Sequence, residues 1–259
     1  YVGLDISGLA FDGRGRSVDA TASFSVAGVY SFGAVGGSIR DCEFFDHHSE
    51  AISSQRGTSI DIHNNEIRNQ RFNGIHTGLQ SEGTDLRNNT IKNCGGTGLY
   101  TSDGLNGVTI VSNEVFDCEG QNPLNPPPSY SSNAGGIGDL DAGGGDNDNN
   151  TLRDNLVDLT GVNAMGVEIG AVSNVKVTGN RIFGNEDGVV ANGATDLALR
   201  NNTIDVSGQA RNLSGTRITV NGWGQSSGPP ASTGEWSGQG IQGVGVRDVS
   251  NDKLFLYLQ

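Results

Sequence analysis

Two side chains of complementary chemistry stand 24 positions apart in equivalent settings: His76 follows the pair Gly74-Ile75, and Tyr100 follows Gly98-Leu99. A histidine beside a tyrosine suits abstraction of a proton α to a carboxylate, one acting as base while the other exchanges a proton with a sugar oxygen. That chemistry also needs a cation to neutralise the carboxylate, for which Arg56 is the first candidate and Arg71 the second. A hydrolytic reading uses two acids instead. Asp139 and Asp141 in GDLDAG are the candidates, with Asp103 and Glu168 on flanking repeats. Inverting glycosidases hold such carboxyls roughly 6.5–9.5 Å apart, about two steps between neighbouring strands. The run from Asp141 to Asn150 (DAGGGDNDNN) offers hard oxygen ligands, so Asp141, Asp146 and Asp148 could hold Ca2+. It matches neither an EF-hand loop nor a complete repeat-type calcium motif, and no other cofactor is implied. Each reading has a plainer alternative: His76 and Tyr100 as ordinary strand residues, the acids as part of an acidic surface.

What must position these groups is a repeat. Seven heptapeptides align as SIRDCEF, DIHNNEI, DLRNNTI, TIVSNEV, TLRDNLV, KVTGNRI and ALRNNTI, with fifth residues Cys42, Asn65, Asn89, Asn113, Asn155, Asn180 and Asn202. The gaps are 23, 24, 24, 42, 25 and 22 residues, and one insertion from Glu119 to Gly135 accounts for the long one. A fixed period of this kind signals a solenoid, in which each turn buries its apolar face only against its neighbours. Alternating apolar residues give two short strands with a bend at the Asn. An inward Asn in every turn can bond its copies above and below, satisfying amides otherwise buried and unpaired. A third strand begins at Ala51-Ile52, Gly74-Ile75, Gly98-Leu99, Gly136-Ile137, Gly166-Val167 and Gly188-Val189. The expected fold is all-β: a right-handed, single-stranded parallel β-helix with an asparagine ladder. Residues 1–205 form its rungs. Residues 206–259, Gly/Ser/Pro-rich and including Trp223, Trp236 and the final KLFLYLQ, form an irregular C-terminal rung and cap.

From about Leu4 to Asp205 the chain resembles the pectin-lyase-like superfamily. Its early ISGLAFDGRG is similar to the opening rung of pectate-lyase-type enzymes and phage tailspikes. The resemblance implies that the Gly-apolar strands form the first sheet, whose outer face carries a substrate groove. Alternation then places Tyr30, Ser53, His76, Tyr100, Gly138, Glu168 and Val190 in one outward column, and Phe32, Gln55, Gly78, Ser102, Leu140, Gly170 and Asn192 in a second. Arg56 and Asp103 fall just past the strand ends. The insertion, with Pro126 to Pro128 followed by Tyr130, becomes a wall of that groove. The implied substrate contacts are Tyr30, Gln55, Asp103, Tyr130, Asp139 and Glu168, with His76, Tyr100 and Arg56 catalytic. The paired-Asp and Gly-His-Gly signatures of polygalacturonases are absent, as is the Arg-x-x-x-Arg strand of pectate lyases. The nearest match to the DPHE run of alginate epimerases is Asp46-His47-His48-Ser49-Glu50, which lacks the proline.

Composition bounds the rest. A formal charge of −13, with Lys92, Lys176 and Lys253 the three lysines, argues against nucleic acid and anionic membranes. No apolar run approaches the roughly 18 residues of a membrane span. Three cysteines without a CxxC pair exclude a disulfide framework and a zinc module, although Cys94 and Cys118 occupy equivalent positions on neighbouring turns. The resemblance implies an extracellular protein that engages a polysaccharide, with lyase or epimerase chemistry on a uronic-acid-containing glycan. The alternative is a non-catalytic glycan-binding or structural module of a viral tail fibre, tailspike or cell-surface adhesin. The chain opens at Tyr1 inside a strand-like run, so preceding sequence is expected, through which the rod could join a homo-oligomer or larger assembly.

Overall fold

The computed structural model describes residues 2–14, 27–102, 104–120, 134–140, 149–221, 244–248 and 253–257. Asp103, Tyr130, Asp141, Asp146 and Asp148, and with them the calcium reading and most of the insertion, lie outside the described residues.

The chain winds as a parallel β-solenoid of three sheets. The first contains Val29–Phe32, Ile52–Gln55, Ile75–Gly78, Leu99–Ser102, Ala134–Leu140, Met165–Ile169, Val189–Thr195 and Arg211–Thr216. The second runs from Val2–Ser7 through Asp85–Arg87 to Thr219–Asn221, and the third from Ala10–Asp12 through Thr90–Lys92 to Thr203–Val206. Every neighbouring pair within these sheets is parallel, as in Ile52↔Ile75 and Leu86↔Ile110. Past Asp205, where the sequence is irregular, Arg211–Thr216 still pairs with Val189–Thr195 and Thr219–Asn221 with Ala198–Arg200. Val244–Asp248 and Lys253–Tyr257 form a separate antiparallel pair. No helix among the described residues is long and apolar enough to cross a membrane.

The interior is built by alternation. Ile39, Ile62, Leu86, Ile110, Leu152, Val177 and Leu199 stack from the second sheet, and Phe44, Ile67, Ile91, Val115, Val157, Ile182 and Ile204 from the third, all essentially fully buried. Each such side chain contributes roughly 1.5–3 kcal/mol on burial. The corner between these sheets explains the doubled Asn of the repeat. The residue before each ladder position has left-handed backbone, with φ of 54° at Asp41, 56° at Asn64, 53° at Asn88 and 52° at Asn201. Asn and Asp tolerate that conformation better than other non-glycine residues. The second Asn then turns inward. Asn89 Oδ1 accepts from the Asn65 backbone N–H at 3.1 Å and from Asn65 Nδ2 at 2.9 Å. Asn89 Nδ2 donates back to Ile62 O and on to Asn113 Oδ1. The same bonds recur through Asn155 and Asn180 to Asn202.

The glycines of the Gly-apolar pairs make the next corner. A Cβ on Gly74 would lie 2.7 Å from Ile91 Cγ2, on Gly98 2.4 Å from Val115 Cγ1, and on Gly136 2.4 Å from Val157 Cγ1. At these three turns only a missing side chain lets the chain enter the first sheet so close to the third. On the outside of the second sheet, His63, Arg87, Asp61 and Asp85 share registers. Arg87 pairs with Asp61 as a half-exposed ion pair, still open enough to solvent to add little stability.

Candidate functional site

The outer face of the first sheet begins open and becomes closed. Tyr30 is 50% exposed and Phe32 49% exposed on the first strand, with the Arg56 guanidinium 5.4 Å from the Phe32 ring centre. On the next strands the same two columns are buried, with Ser53, Gln55, His76, Tyr100, Ser102 and Glu168 each 7% exposed or less, and the second column reopens at Asn192. His76 and Tyr100 are therefore not solvent-facing strand residues. Their backbones pair directly and their rings stack at 4.9 Å between centroids, tilted by 34°.

A residue not singled out from the sequence anchors this cluster. Glu50, fully buried just before Ile52–Gln55, places Oε1 2.9 Å from His76 Nδ1 and accepts from Asn73 Nδ2 at 3.1 Å. Its Oε2 has no hydrogen bond among the described residues. A carboxylate at Nδ1 fixes the tautomer, so the ring donates Nδ1–H to Glu50 and its Nε2 accepts. The partner of Nε2 is the Ser102 hydroxyl at 2.9 Å. Gln55 Nε2 lies 3.4 Å from His76 Nδ1 and donates to Ser53 Oγ at 3.2 Å. Over Gly78 the cluster closes up: a Cβ there would lie 2.9 Å from both Gln55 Oε1 and Ser102 Oγ and 3.1 Å from His76 Nε2.

The other acids divide. Glu168 sits on the outer face, in register with Gly138 and so in the column of Tyr100. Asp139 does not reach that face, which corrects its reading as a substrate contact. It is one position past outward Gly138, so alternation turns it inside, into a stack with Thr101, Thr77 and Ser54. It accepts from Thr101 Oγ1 at 2.7 Å and Asn150 Nδ2 at 3.1 Å. Burial pushes its pKa up to about 6 although both hydrogen bonds pull the other way. Among the cations, Arg56 lies against Phe32, and Arg71 Nη1 is 2.8 Å from His48 Nε2.

The histidines of the DHHSE segment also separate. His47 is buried at the corner after the third sheet and bonds Gln70 Oε1 through Nδ1 at 3.0 Å. Below it in the same corner column Cys94 N donates to Cys118 Sγ at 3.3 Å. Both thiols are free, and burial, then the contact with Cys118, raises the Cys94 pKa well above its ordinary value.

The model of the right-handed beta helix region matches residues 27–204. The chain belongs to this right-handed β-helix family. Among solved structures it is similar to the A-module of a mannuronan C-5 epimerase from Azotobacter vinelandii, at 17% identity and TM-score 0.52, covering 76% of this chain and 59% of that one. It is also similar to a surface adhesin of Streptococcus pneumoniae, at 13% identity and TM-score 0.50, covering 93% and 70%. Tailspike protein 3 of bacteriophage CBA120 gives 12% identity and TM-score 0.32, over 100% of this chain and 57% of that one. No curated protein sequence matches. The β-helix therefore spans little more than half the length of the epimerase module, and at these identities the likeness is one of fold.

Proposed function

We propose that this β-helix engages a polysaccharide along the outer face of its first sheet, with lyase or epimerase chemistry on a uronic-acid-containing glycan centred on His76 and Tyr100. The supporting observation is the Glu50–His76 contact: a buried carboxylate holds the imidazole in one tautomer and stabilises the positive charge gained when the ring takes a proton. Tyr100, stacked on that ring, is the partner group. The half-exposed Tyr30 and Phe32 rings lie on the same two columns and offer flat apolar faces to sugar rings, with Arg56 beside them to meet a carboxylate. The named structural relatives include a polysaccharide epimerase and a surface adhesin, in keeping with a glycan-related role at a surface.

The test is incubation with oligomers of mannuronate, guluronate and galacturonate. A lyase gives unsaturated ends that absorb in the ultraviolet, and an epimerase changes the uronate ratio seen by proton NMR. Both signals should vanish in His76→Ala. Binding of these oligomers without either product would leave a glycan-binding module and overturn the catalytic part. No binding to any of them would overturn the uronate reading.

A further inference from the structure

We propose that Glu50, His76 and Ser102 also form a nucleophilic relay that cleaves short acyl esters on sugar hydroxyls. The sugar half of that substrate rests on the glycan reading above; the relay does not.

The geometry is continuous across three turns. Glu50 Oε1 to His76 Nδ1 is 2.9 Å, and His76 Nε2 to Ser102 Oγ is 2.9 Å. With Nδ1–H committed to the carboxylate, the Nε2 lone pair points at the serine hydroxyl. This is the arrangement of base, orienting acid and nucleophile that makes serine reactive. Proton abstraction from carbon needs no serine at Nε2, so the reading already given leaves Ser102 unexplained. The contacts run from a buried carboxylate through the imidazole to an aliphatic hydroxyl, the order of groups that activates a serine. Gly78 keeps the junction clear, since any side chain there would collide with both Ser102 Oγ and His76 Nε2. Gln55 closes the other side. Its amide nitrogen faces Nδ1, whose hydrogen Glu50 already takes; a half-turn of the amide would aim that nitrogen over Gly78 as a donor to an oxyanion. With Ser102 and His76 each 3% exposed or less, we confine the proposal to a short acyl group such as acetyl.

The reaction balances as ester plus water giving acid plus alcohol. Ser102 Oγ attacks the acyl carbon while its proton passes to His76 Nε2. The tetrahedral adduct collapses and the C–O bond to the sugar breaks, its oxygen taking the proton from His76. Water then attacks the acyl-serine, giving its proton to His76, and the carboxylic acid leaves with Ser102 restored.

Two measurements on the full chain test this. A fluorophosphonate probe followed by peptide mass mapping should give one adduct, on Ser102, absent in Ser102→Ala. Acetate release from acetylated alginate should be abolished in Ser102→Ala and fall roughly 100-fold or more in Glu50→Gln, with circular dichroism showing both variants folded. Labelling elsewhere, no labelling of the folded wild-type chain, or acetate release unchanged in Ser102→Ala would each overturn the relay. Ser102-dependent hydrolysis of p-nitrophenyl acetate without binding of acetylated alginate would keep the relay and count against the glycan reading. Binding of the glycan with neither adduct nor acetate release would overturn the relay alone.

Discussion

Asp139 is a carboxyl sealed inside the solenoid, and its burial makes folding stability depend on pH. Burial raises its pKa in the folded chain to about 6 from an ordinary 3.8. Because the folded state favours the protonated form, the stabilisation is fully present below about pH 3.8 and is lost as pH rises through 6. A shift of 2.2 pH units, the difference between 6 and 3.8, corresponds to about 3 kcal/mol. Asp139→Asn keeps an acceptor oxygen for Thr101 Oγ1 and Asn150 Nδ2 but cannot ionise. Urea unfolding followed by far-ultraviolet circular dichroism, from pH 4 to pH 8, should show the variant gaining on the wild type as pH rises. With m near 3 kcal/mol/M, the relative midpoint should move by ~1 M. Exposed acids titrate equally in both proteins and cancel in the difference. A stability difference that stays flat between pH 4 and 8 would refute the reasoning.

Asn89→Leu orphans the Asn65 N–H and takes away bonds from Asn65 Nδ2, the Ile62 carbonyl and Asn113 Oδ1, so chemical denaturation should show a loss of roughly 3 kcal/mol or more. Gly98→Ala drives a methyl against Val115 Cγ1, and the expected overpacking cost, read by the same method, is about 1–3 kcal/mol. Cys94, its thiol held protonated by burial, should resist iodoacetamide in the folded chain at pH 8 and react fully in urea; prompt modification of the native chain would show that the corner opens.

The ladder was legible because one residue type had to recur once per turn, and the apolar columns because strand alternation has a fixed period. The first Asn of each Asn-Asn pair was less so: its left-handed backbone serves the turn, not the interior, and Asp41 and Ser112 do the same work. His76 and Tyr100 were found from register alone. Glu50 was not, since it precedes its strand and reaches His76 across a turn; the available signal was an acid at the end of DHHSE, directly before the buried pair Ala51-Ile52. Asp139 was misread because its acidity was weighed above its parity with outward Gly138. Ser102 was placed in the right column without a role, because nothing in its own turn marks a serine as bonded to a histidine one turn away.

The ladder has a direction. Each carboxamide gives its hydrogen, together with its own backbone N–H, to the oxygen of the turn that follows it in sequence. A partly assembled rod therefore ends in two parallel donors with nothing to receive them, and an arriving Asn satisfies both with one oxygen. A one-residue slip would bring there either a strand residue or the left-handed turn residue that precedes each ladder Asn, and would turn the apolar set outward. Each finished turn thus acts as a template that checks the alignment of the next, and it does so in the order in which the ribosome delivers them. Cys42, lacking a carboxamide, contributes its backbone N–H to Asn65 and starts the count.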